Sequence, residues 1–260
     1  MVDAYLWGSV DRISPEAPVP VVALRQRESR LGGAANVALN IRQFGANVIL
    51  CSVTGDDEKG REIGLLLEKA GISDLGIIRS EKRKTTVKFR ILGNKTQLLR
   101  VDEEDISPLD HDLSTSLVSV IKEQASDADA IVFEDYDKGV ITKNLIKEVV
   151  SIARDKDIPI LVDPKKNHFL DYSDIDLFKP NLRELKEGLK TETDLQVQEN
   201  IEAAVSELHK RLGVKSILVT MSEKGMFYSE RDGEAGFVPA HIRNIADVSG
   251  AGDTVISIAA

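Results

Sequence analysis

The chain has 260 residues, of which 42% are hydrophobic and 30% charged, a composition that is ordinary for a soluble globular protein with one sizeable core. Its net charge of −9 argues against a general nucleic-acid-binding protein, because such proteins concentrate lysine and arginine over one face. The single cysteine, Cys51, leaves no internal disulfide or cysteine-based zinc site and fits a reducing cytoplasm. No apolar run approaches the roughly 18 residues of a membrane helix, so we expect no membrane partner.

In chain order, the pattern begins with two extended segments and a helix. Residues 1–5 are typical of the end of a buried strand, and the prolines of residues 18–24 suit an edge strand better than a central one. Paired glycines then precede a predicted helix with Val37, Ile41 and Phe44 on one face.

Residues 86–101 predict a β-hairpin that turns at Gly93 and Asn94. Together with residues 18–24, this hairpin would form a small antiparallel sheet outside the main one. Such a sheet could cover the edge of the main sheet or an active site.

The remaining sequence alternates strands with helices. Almost wholly apolar runs, typical of strands covered on both faces, lie at 48–53, 130–133, 159–162, 176–178 and 216–219. Amphipathic stretches between them predict helices, one of which begins at an N-cap on Thr142. The alternation indicates a parallel sheet with right-handed crossovers, in one α/β domain with a β appendage.

Both ends of the chain look incomplete. Residues 1–5 lack the start of their predicted strand, and the sequence stops within an apolar stretch that begins at Thr254 and has no helix stop signal. We therefore expect a piece of a longer protein.

The strongest chemical signal is Asp247-Val248-Ser249-Gly250-Ala251-Gly252-Asp253-Thr254, followed by an apolar helical run. Small residues let the backbone approach a ligand closely, and a helix N-terminus offers free N–H groups to an anion. A carboxylate inside such a cradle suggests a proton acceptor, although Asp253 could also be a simple helix cap.

A second glycine turn, Gly32-Gly33, also precedes a helix and permits close approach of a ligand. Asn36, one turn into that helix, could hydrogen-bond a polyol. The alternative is a tight turn in which the backbone satisfies Asn36.

Asn181 and Glu184 follow the predicted strand at 176–178 and share one face of a helical turn. Hard oxygen ligands held in this way suit water-mediated Mg²⁺ close to phosphates. A helix capping box uses the same two residue types and is the alternative.

Two further segments follow predicted strands: residues 134–139 and Asp163-Pro164-Lys165. Ligands bind at the carboxyl ends of strands in open parallel sheets, so Lys138 and Lys165 could hold an anionic substrate. Each lysine could equally be an ordinary surface residue.

The sequence lacks several catalytic motifs. It contains no G-x-x-x-x-G-K-[ST] loop, no protein-kinase signature set, no G-x-S-x-G elbow and no H-E-x-x-H pair. A dinucleotide-binding oxidoreductase fits poorly, because Gly250-Ala251-Gly252 lacks the third glycine and lies far from the first predicted strand.

Taken together, the motifs resemble those of the ribokinase-like (PfkB) carbohydrate kinase family over essentially the whole chain. The matching elements, in the family's order, are Gly32-Gly33…Asn36, Asn181…Glu184 and Gly250-Ala251-Gly252-Asp253. The resemblance implies one carbohydrate kinase domain over residues 1–260, folded as a three-layer α/β sandwich with a mostly parallel central sheet. It also implies a small β-sheet lid over the sugar, from about 12–25 and 84–102, and the use of ATP and Mg²⁺.

The resemblance assigns roles to these residues. Asp253 would be the catalytic base, and the Gly250, Ala251 and Gly252 amides would form an anion hole. Asn181 and Glu184 would organise Mg²⁺ through water. The nucleotide would also meet Thr220, Ser222, Gly225, Asn181, Glu184, Gly250 and Gly252.

Within the family, the chain is most similar to kinases that phosphorylate C1 of D-glycero-β-D-manno-heptose 7-phosphate in the synthesis of ADP-heptose and lipopolysaccharide core. The similar segments are 12–21, Asp135-Tyr136…Lys138-Gly139 and Asp163-Pro164-Lys165. By this resemblance, the sugar would contact Asp3, Gly32, Gly33, Asn36 and Asp163. The 7-phosphate would face Lys165, and also Lys138 and Arg90.

Two other functions stay open at this level: a PfkB-type kinase for another sugar, such as ribose or a fructose phosphate, and a nucleotide-binding protein without activity. We also expect a homodimer formed through the lid, because its valine, leucine and isoleucine faces need cover.

Overall fold

The structure is a computed structural model that describes residues 1–94, 96–240 and 250–260. In chain order, the strands are β1 Val2–Ile13, β2 Pro20–Leu31, β3 Ser52–Gly55, β4 Ile77–Ser80, β5 Val87–Gly93, β6 Thr96–Glu103, β7 Ile131–Glu134, β8 Ile160–Asp163, β9 Leu177–Phe178, β10 Ser216–Thr220, β11 Met226–Glu230 and β12 Ala235–Val238. The α-helices are α1 Ala34–Gln43, α2 Glu58–Lys69, α3 His111–Gln124, α4 Lys143–Asp155, α5 Leu182–Leu189, α6 Gln198–Leu212 and α7 Ala251–Ala259.

The principal sheet has six strands in the order β12-β11-β10-β9-β8-β7. Strands β7 to β10 are parallel, as their alternation with helices predicts, and β11 and β12 add an antiparallel edge. The predicted runs at 130–133, 159–162, 176–178 and 216–219 all fall on these parallel strands. Strands β11 and β12 were not predicted, since their residues are too polar and exposed to give a continuous apolar run.

Helix α4 shows how the crossover helices form and pack. Thr142 is its N-cap, as predicted, and its hydroxyl accepts a hydrogen bond from the Leu145 amide at 3.2 Å. Leu145, Ile146 and Val149 line the buried face of the helix in the main hydrophobic core. Burial of this face holds α4 on the sheet.

A second sheet has four strands in the order β2-β1-β5-β6, and we call it the lid sheet. The predicted hairpin at 86–101 is confirmed as β5 and β6, and β2 lies at an edge, as its prolines predict. The sheet is mixed and not wholly antiparallel, because β1 pairs with β5 in parallel.

The prediction for residues 1–5 was wrong in extent: the strand does not end there but continues to Ile13. Val2 and Ala4 are buried in a core shared with α1 and α2, whereas the far end of β1 is exposed. Strand β1 therefore anchors one end of the lid sheet in the body of the protein.

The predicted strand at 48–53 is only partly formed. Ser52–Gly55 pairs in parallel with β4, and Ile49 makes a single bridge to Ser73. Helix α2 packs nearby through Ile63 and Leu67, which belong to the same small core as Val2 and Ala4.

Helices α1 and α7 are brought together on the principal sheet, which fixes where their first turns meet. Val37 of α1, Ile256 of α7 and Leu161 of β8 form one buried cluster. The two glycine turns precede these helices, so both turns lie near the carboxyl end of β8. None of the helices formed by the described residues has the length and apolarity that crossing a bilayer requires.

Candidate active site

Helix α7 begins at a glycine turn. Gly250 is its N-cap with a φ of 81°, a left-handed conformation that favours glycine. The helix leaves the N–H groups of its first turn without partners within the helix. The part of the predicted motif that precedes Gly250, residues 247–249, lies outside the described residues.

Asp253, in the first turn of α7, is held at both carboxylate oxygens. The Asn36 side-chain amide donates to Oδ2 at 2.8 Å, and the Tyr136 hydroxyl donates to Oδ1 at 2.9 Å. These donors come from α1 and from the segment after β7. Three elements thus converge on the predicted catalytic base.

The first glycine turn lies against β1. Gly33 is the N-cap of α1 with a φ of 57°. A Cβ on Gly32 would lie 2.7 Å from Oδ2 of Asp3, and a Cβ on Gly250 would lie 3.4 Å from the Asn36 amide nitrogen. The structure therefore brings together Asp3, Gly32, Gly33, Asn36 and Asp253, which are far apart in sequence.

Arg90 on β5 completes this side of the site. Its guanidinium donates to Asp3 Oδ1 at 2.5 Å and lies 5.4 Å from the centre of the Tyr5 ring. The Arg30 guanidinium lies 4.7 Å from the same ring centre, so two cations meet on one aromatic side chain of the lid sheet.

A buried group of charges lies at the carboxyl ends of the parallel strands. Lys179, only 2% exposed, pairs with Asp163 Oδ2 at 2.8 Å. A Cβ on Gly252 would lie 3.5 Å from Lys179 Nζ, so this ammonium lies beside the first turn of α7. The sequence analysis missed Lys179, although its place directly after β9 was a usable signal.

Lys165 lies in the same group. Its Nζ contacts Glu184 Oε1 and is 3.8 Å from Asp163 Oδ1. Burial acts to lower the pKa of Lys165, but the Asp163 and Glu184 carboxylates outweigh it and raise that pKa. Lys165 is therefore a cation at neutral pH.

Glu134, at the end of β7, is the second residue that the sequence analysis missed. Both of its carboxylate oxygens are buried and have no hydrogen-bond partner among the described residues. Burial, and then the charges of Asp163 and Asp253, raise the pKa of Glu134 to about 9. Its carboxyl group is thus neutral at pH 7 and has both a donor and acceptors free for a ligand.

Asn181 and Glu184 form a complete capping box at the start of α5. Asn181 Oδ1 accepts from the Glu184 amide at 2.8 Å, and Glu184 Oε2 accepts from the Asn181 amide at 2.9 Å. Asn181 and Glu184 therefore do cap the helix, as the alternative interpretation held. Their role in holding Mg²⁺ stays a prediction.

The oxygens in this region still suit water-mediated Mg²⁺. Asp163 Oδ1 is buried and has no hydrogen-bond partner in the part of the chain that the structure describes. Each Glu184 oxygen has a lone pair beyond the hydrogen bond it accepts. Among the described residues, no three His, Cys, Asp or Glu side chains are arranged to bind a metal directly.

The predicted nucleotide residues lie at the end of β10. Thr220 bridges to Asn181, which places it beside the capping box. Ser222 and Gly225 follow in the turn into β11 with positive φ values of 55° and 94°. The Gly225 amide donates to the Ser222 carbonyl at 3.1 Å, so the two residues close one tight turn.

Lys138 differs from the other predicted cations, because its Nζ pairs with Glu104 at 2.6 Å, just beyond β6. Arg83 holds the same region through the carbonyl oxygens of Ser107, Asp105 and Lys138. These contacts join Lys138 to the base of the lid sheet and not to Asp253.

The pfkB family carbohydrate kinase model matches residues 2–259. The chain therefore belongs to the pfkB family of carbohydrate kinases, as the motifs predicted. Similar solved structures include the tetrameric inhibited form of phosphofructokinase-2 from Escherichia coli, with a TM-score of 0.79 and 18% identity over 98% of this chain and 82% of that one. Ribokinase from Arabidopsis thaliana, complexed with ribose and ATP, has a TM-score of 0.72 and 19% identity over 98% of this chain and 80% of that one. These likenesses establish the ribokinase-like α/β fold that the resemblance implied.

Similar curated proteins include bifunctional HldE proteins of several bacteria. The bifunctional protein HldE of Helicobacter pylori is 38% identical over 99% of this chain and 55% of its own length. HldE of Rhodopseudomonas palustris is 40% identical over 100% of this chain and 53% of its own length. The chain thus spans about half the length of the curated relatives it matches.

Proposed function

We propose that the chain transfers the γ-phosphoryl group of ATP to the C1 hydroxyl of D-glycero-β-D-manno-heptose 7-phosphate. The product is the 1,7-bisphosphate, an intermediate of ADP-heptose and lipopolysaccharide core synthesis. Membership of the pfkB family and the likeness to HldE over the whole of this chain support the proposal.

The observation that carries the proposal is the convergence on Asp253. A carboxylate in the first turn of a helix, behind a glycine turn, accepts a hydrogen bond from Asn36, which follows a second glycine turn that lies against Asp3. This arrangement suits a general base that accepts the proton of a sugar hydroxyl. The backbone amides beside it suit stabilisation of the charge on a transferred phosphoryl group.

In the proposed mechanism, Asp253 accepts the proton of the attacking hydroxyl. The hydroxyl oxygen forms a bond to the γ-phosphorus as the bond to the β-phosphate oxygen breaks, and ADP leaves. The amides of Gly250, Ala251 and Gly252, with Lys179 beside them, stabilise the charge on the transferred group. When bound, Mg²⁺ would neutralise phosphate charge, held through water by Asn181, Glu184 and Asp163.

Sugar recognition follows from the polar groups around Asp253. Asp3 and Asn36 offer an acceptor and a donor, and the Gly32 and Gly33 backbone allows close approach. The neutral carboxyl of Glu134 has no hydrogen-bond partner within residues 1–94, 96–240 and 250–260, so a sugar hydroxyl can give it one.

For the phosphate of the substrate, we keep Lys165 and Arg90 as the cations within the site. Each is paired with a carboxylate, so the phosphate must compete with Glu184 for Lys165 and with Asp3 for Arg90. Lys138 would have to exchange Glu104 for the phosphate.

We also propose that the lid sheet forms a homodimer. Leu6, Ile91 and Leu99 lie side by side on β1, β5 and β6, and Leu99 is 57% exposed. An exposed apolar sheet face of this kind favours association with a second copy. We assign the enzyme to the cytoplasm, where ATP is available and a lone cysteine stays reduced.

The test is ADP release with Mg-ATP, comparing heptose 7-phosphate, ribose, fructose 6-phosphate and no sugar. Asp253→Asn should lower kcat by roughly 10²- to 10⁴-fold, because it removes the general base, while sugar binding stays nearly intact. The matched control is Asp232→Asn at an exposed turn, which should keep wild-type kcat.

Each outcome of this assay has a distinct meaning. ADP release only with the heptose phosphate supports the proposal, and release with another sugar would move the substrate within the family. No release with any sugar would overturn the kinase assignment for this chain, and wild-type kcat in Asp253→Asn would remove Asp253 as the base.

A further inference from the structure

Tyr136 is a side chain at the centre of the site to which the motifs assign no role. It follows β7 by two residues, and its hydroxyl donates to Asp253 Oδ1 at 2.9 Å. Burial, and then the charges of Glu134 and Asp253, raise the pKa of Tyr136 well above its ordinary value. The phenol therefore stays protonated and remains a hydrogen-bond donor at every pH at which the protein would work.

The ring of Tyr136 is fixed by neighbours from two other parts of the site. A Cβ on Gly33 would lie 3.4 Å from its Cε2 atom, so the first glycine turn passes close to the ring. Lys165 Nζ lies 5.8 Å from the ring centre. The hydroxyl is thus held in place from both sides and does not hang free in a cavity.

The two donors on Asp253 have a geometric consequence. A carboxylate held at one oxygen can still rotate about its terminal bond, whereas donors at both oxygens fix its plane. Asn36 holds Oδ2 and Tyr136 holds Oδ1, and lone pairs remain on both oxygens for a third donor. The acceptor hydroxyl of the substrate can be that third donor.

We propose that Tyr136 is a positioning residue of the phosphoryl transfer, whose phenol fixes the plane of the Asp253 carboxylate for the acceptor hydroxyl. This inference depends on the proposed function, because it needs Asp253 to act as the base. Tyr136 itself neither gains nor loses a proton in the step.

The experiment compares Tyr136→Phe with wild type in the whole chain, using Mg-ATP and heptose 7-phosphate. We expect kcat to fall by roughly ten- to a hundredfold, the size of one lost hydrogen bond to a charged group. KM for the sugar phosphate should change less than about threefold, because the phenol binds the base and not the sugar.

The pH profile separates positioning from a merely structural role. The groups that face Asp253 come from several elements. Tyr136 and Glu134 lie at the end of β7, and Asn36 lies on α1. The ammonium of Lys179 lies near Gly252. In Tyr136→Phe the carboxylate loses a donor that favours its charged form, so the acid limb of kcat should move to higher pH. Glu134 titrates near pH 9 and therefore acts on the other limb.

Tyr172→Phe is the matched control. Its hydroxyl donates to Asp135 at 3.1 Å within the core, so the same atom is removed from a buried tyrosine that has no hydrogen bond to Asp253. This variant can lose stability, but the kcat of its folded fraction and its acid limb should equal those of wild type.

If Tyr136→Phe does not fold, 3-fluorotyrosine placed at position 136 keeps the shape and makes the phenol a stronger donor. The acid limb should then move to lower pH. Wild-type kcat and an unmoved acid limb in either variant would overturn the inference. A wild-type enzyme that is inactive with every sugar would instead overturn the proposed function, and this is measured first.

Discussion

At the scale of single residues, Glu134 is the side chain whose state depends most on its surroundings. Its two buried oxygens have no hydrogen-bond partner in the described part of the chain, and Asp163 and Asp253 lie close enough to disfavour its charge. A carboxyl group kept neutral in this way makes the stability of the fold depend on pH.

We predict that the free energy of unfolding falls as the pH rises from about 5 to 9, and that Glu134→Gln removes the part of this fall that is due to Glu134. The pKa of Glu134 rises from 4.5 to about 9 on folding, so the folded state holds the proton more tightly. The contribution of this proton to the free energy of unfolding is complete below the pKa of the unfolded state. It is lost as the pH rises through the pKa of the folded state, at a rate of at most about 1.4 kcal/mol per pH unit.

Urea unfolding of the two proteins at pH 6 and pH 9 measures this effect. The loss of unfolding free energy between the two pH values should be larger in wild type than in Glu134→Gln. Equal losses would mean that Glu134 is already ionised in the folded protein at pH 6.

At the scale of elements, helix α5 carries two roles on one pair of residues. Asn181 and Glu184 cap its N-terminus reciprocally, and the same side chains are our proposed holders of Mg²⁺ through water. A substitution that keeps the cap but shortens the side chain can separate the two roles.

We predict that Asn181→Ser keeps stability within about 0.5 kcal/mol, because serine caps helices as well as asparagine does. Its shorter side chain should nevertheless weaken the hold on water, so the Mg²⁺ concentration that gives half-maximal activity should rise. Asn181→Ala is the reference, since it loses the cap at a cost of about 1 kcal/mol. An unchanged Mg²⁺ requirement in Asn181→Ser would leave Asn181 as a cap only.

At the scale of the whole molecule, the lid sheet decides how much apolar surface is exposed. Leu99 and Val101 on β6 are 57% and 45% exposed, and Leu24 on β2 is 44% exposed. Burial of such side chains against a second copy stabilises a dimer at about 25 cal/mol per Å² of apolar surface removed from water.

Sedimentation at micromolar concentration should therefore show a dimer for wild type and a monomer for Leu99→Asp, which places a charge in the proposed interface. The control is Leu65→Asp on α2, an exposed leucine outside the lid sheet that is 66% exposed. It should leave the dimer intact. A monomeric wild type, or a dimeric Leu99→Asp, would remove the lid from the proposed interface.

Features that depend on a few neighbouring residues could be predicted from the sequence. The parallel strands, the Thr142 cap, the β5–β6 hairpin and the glycine turns before α1 and α7 all follow from local side-chain patterns. Backbone preferences and hydrophobic periodicity act over such short stretches, so the pattern in the sequence is nearly sufficient.

Strand β1 shows where local patterns fail. Gly8, Ser9 and Asp11 interrupt its apolar residues, so the sequence does not indicate a strand of twelve residues. Its parallel pairing with β5 joins segments about 85 residues apart. Only the pairing with β2 and β5 together makes this stretch extended.

The sequence by itself determined the family, the kinds of strand and helix, and the residues Gly250 to Asp253 as the start of a helix. Tertiary structure alone decided that Asp253 meets Asn36 and Tyr136, which lie 217 and 117 residues away. It also decided that Lys138 pairs with Glu104 and that Glu134 is buried with no hydrogen-bond partner among the residues described. These contacts form because α1 and α7 pack on β8, and side-chain charge and hydrogen bonding depend on that packing rather than on neighbours in sequence.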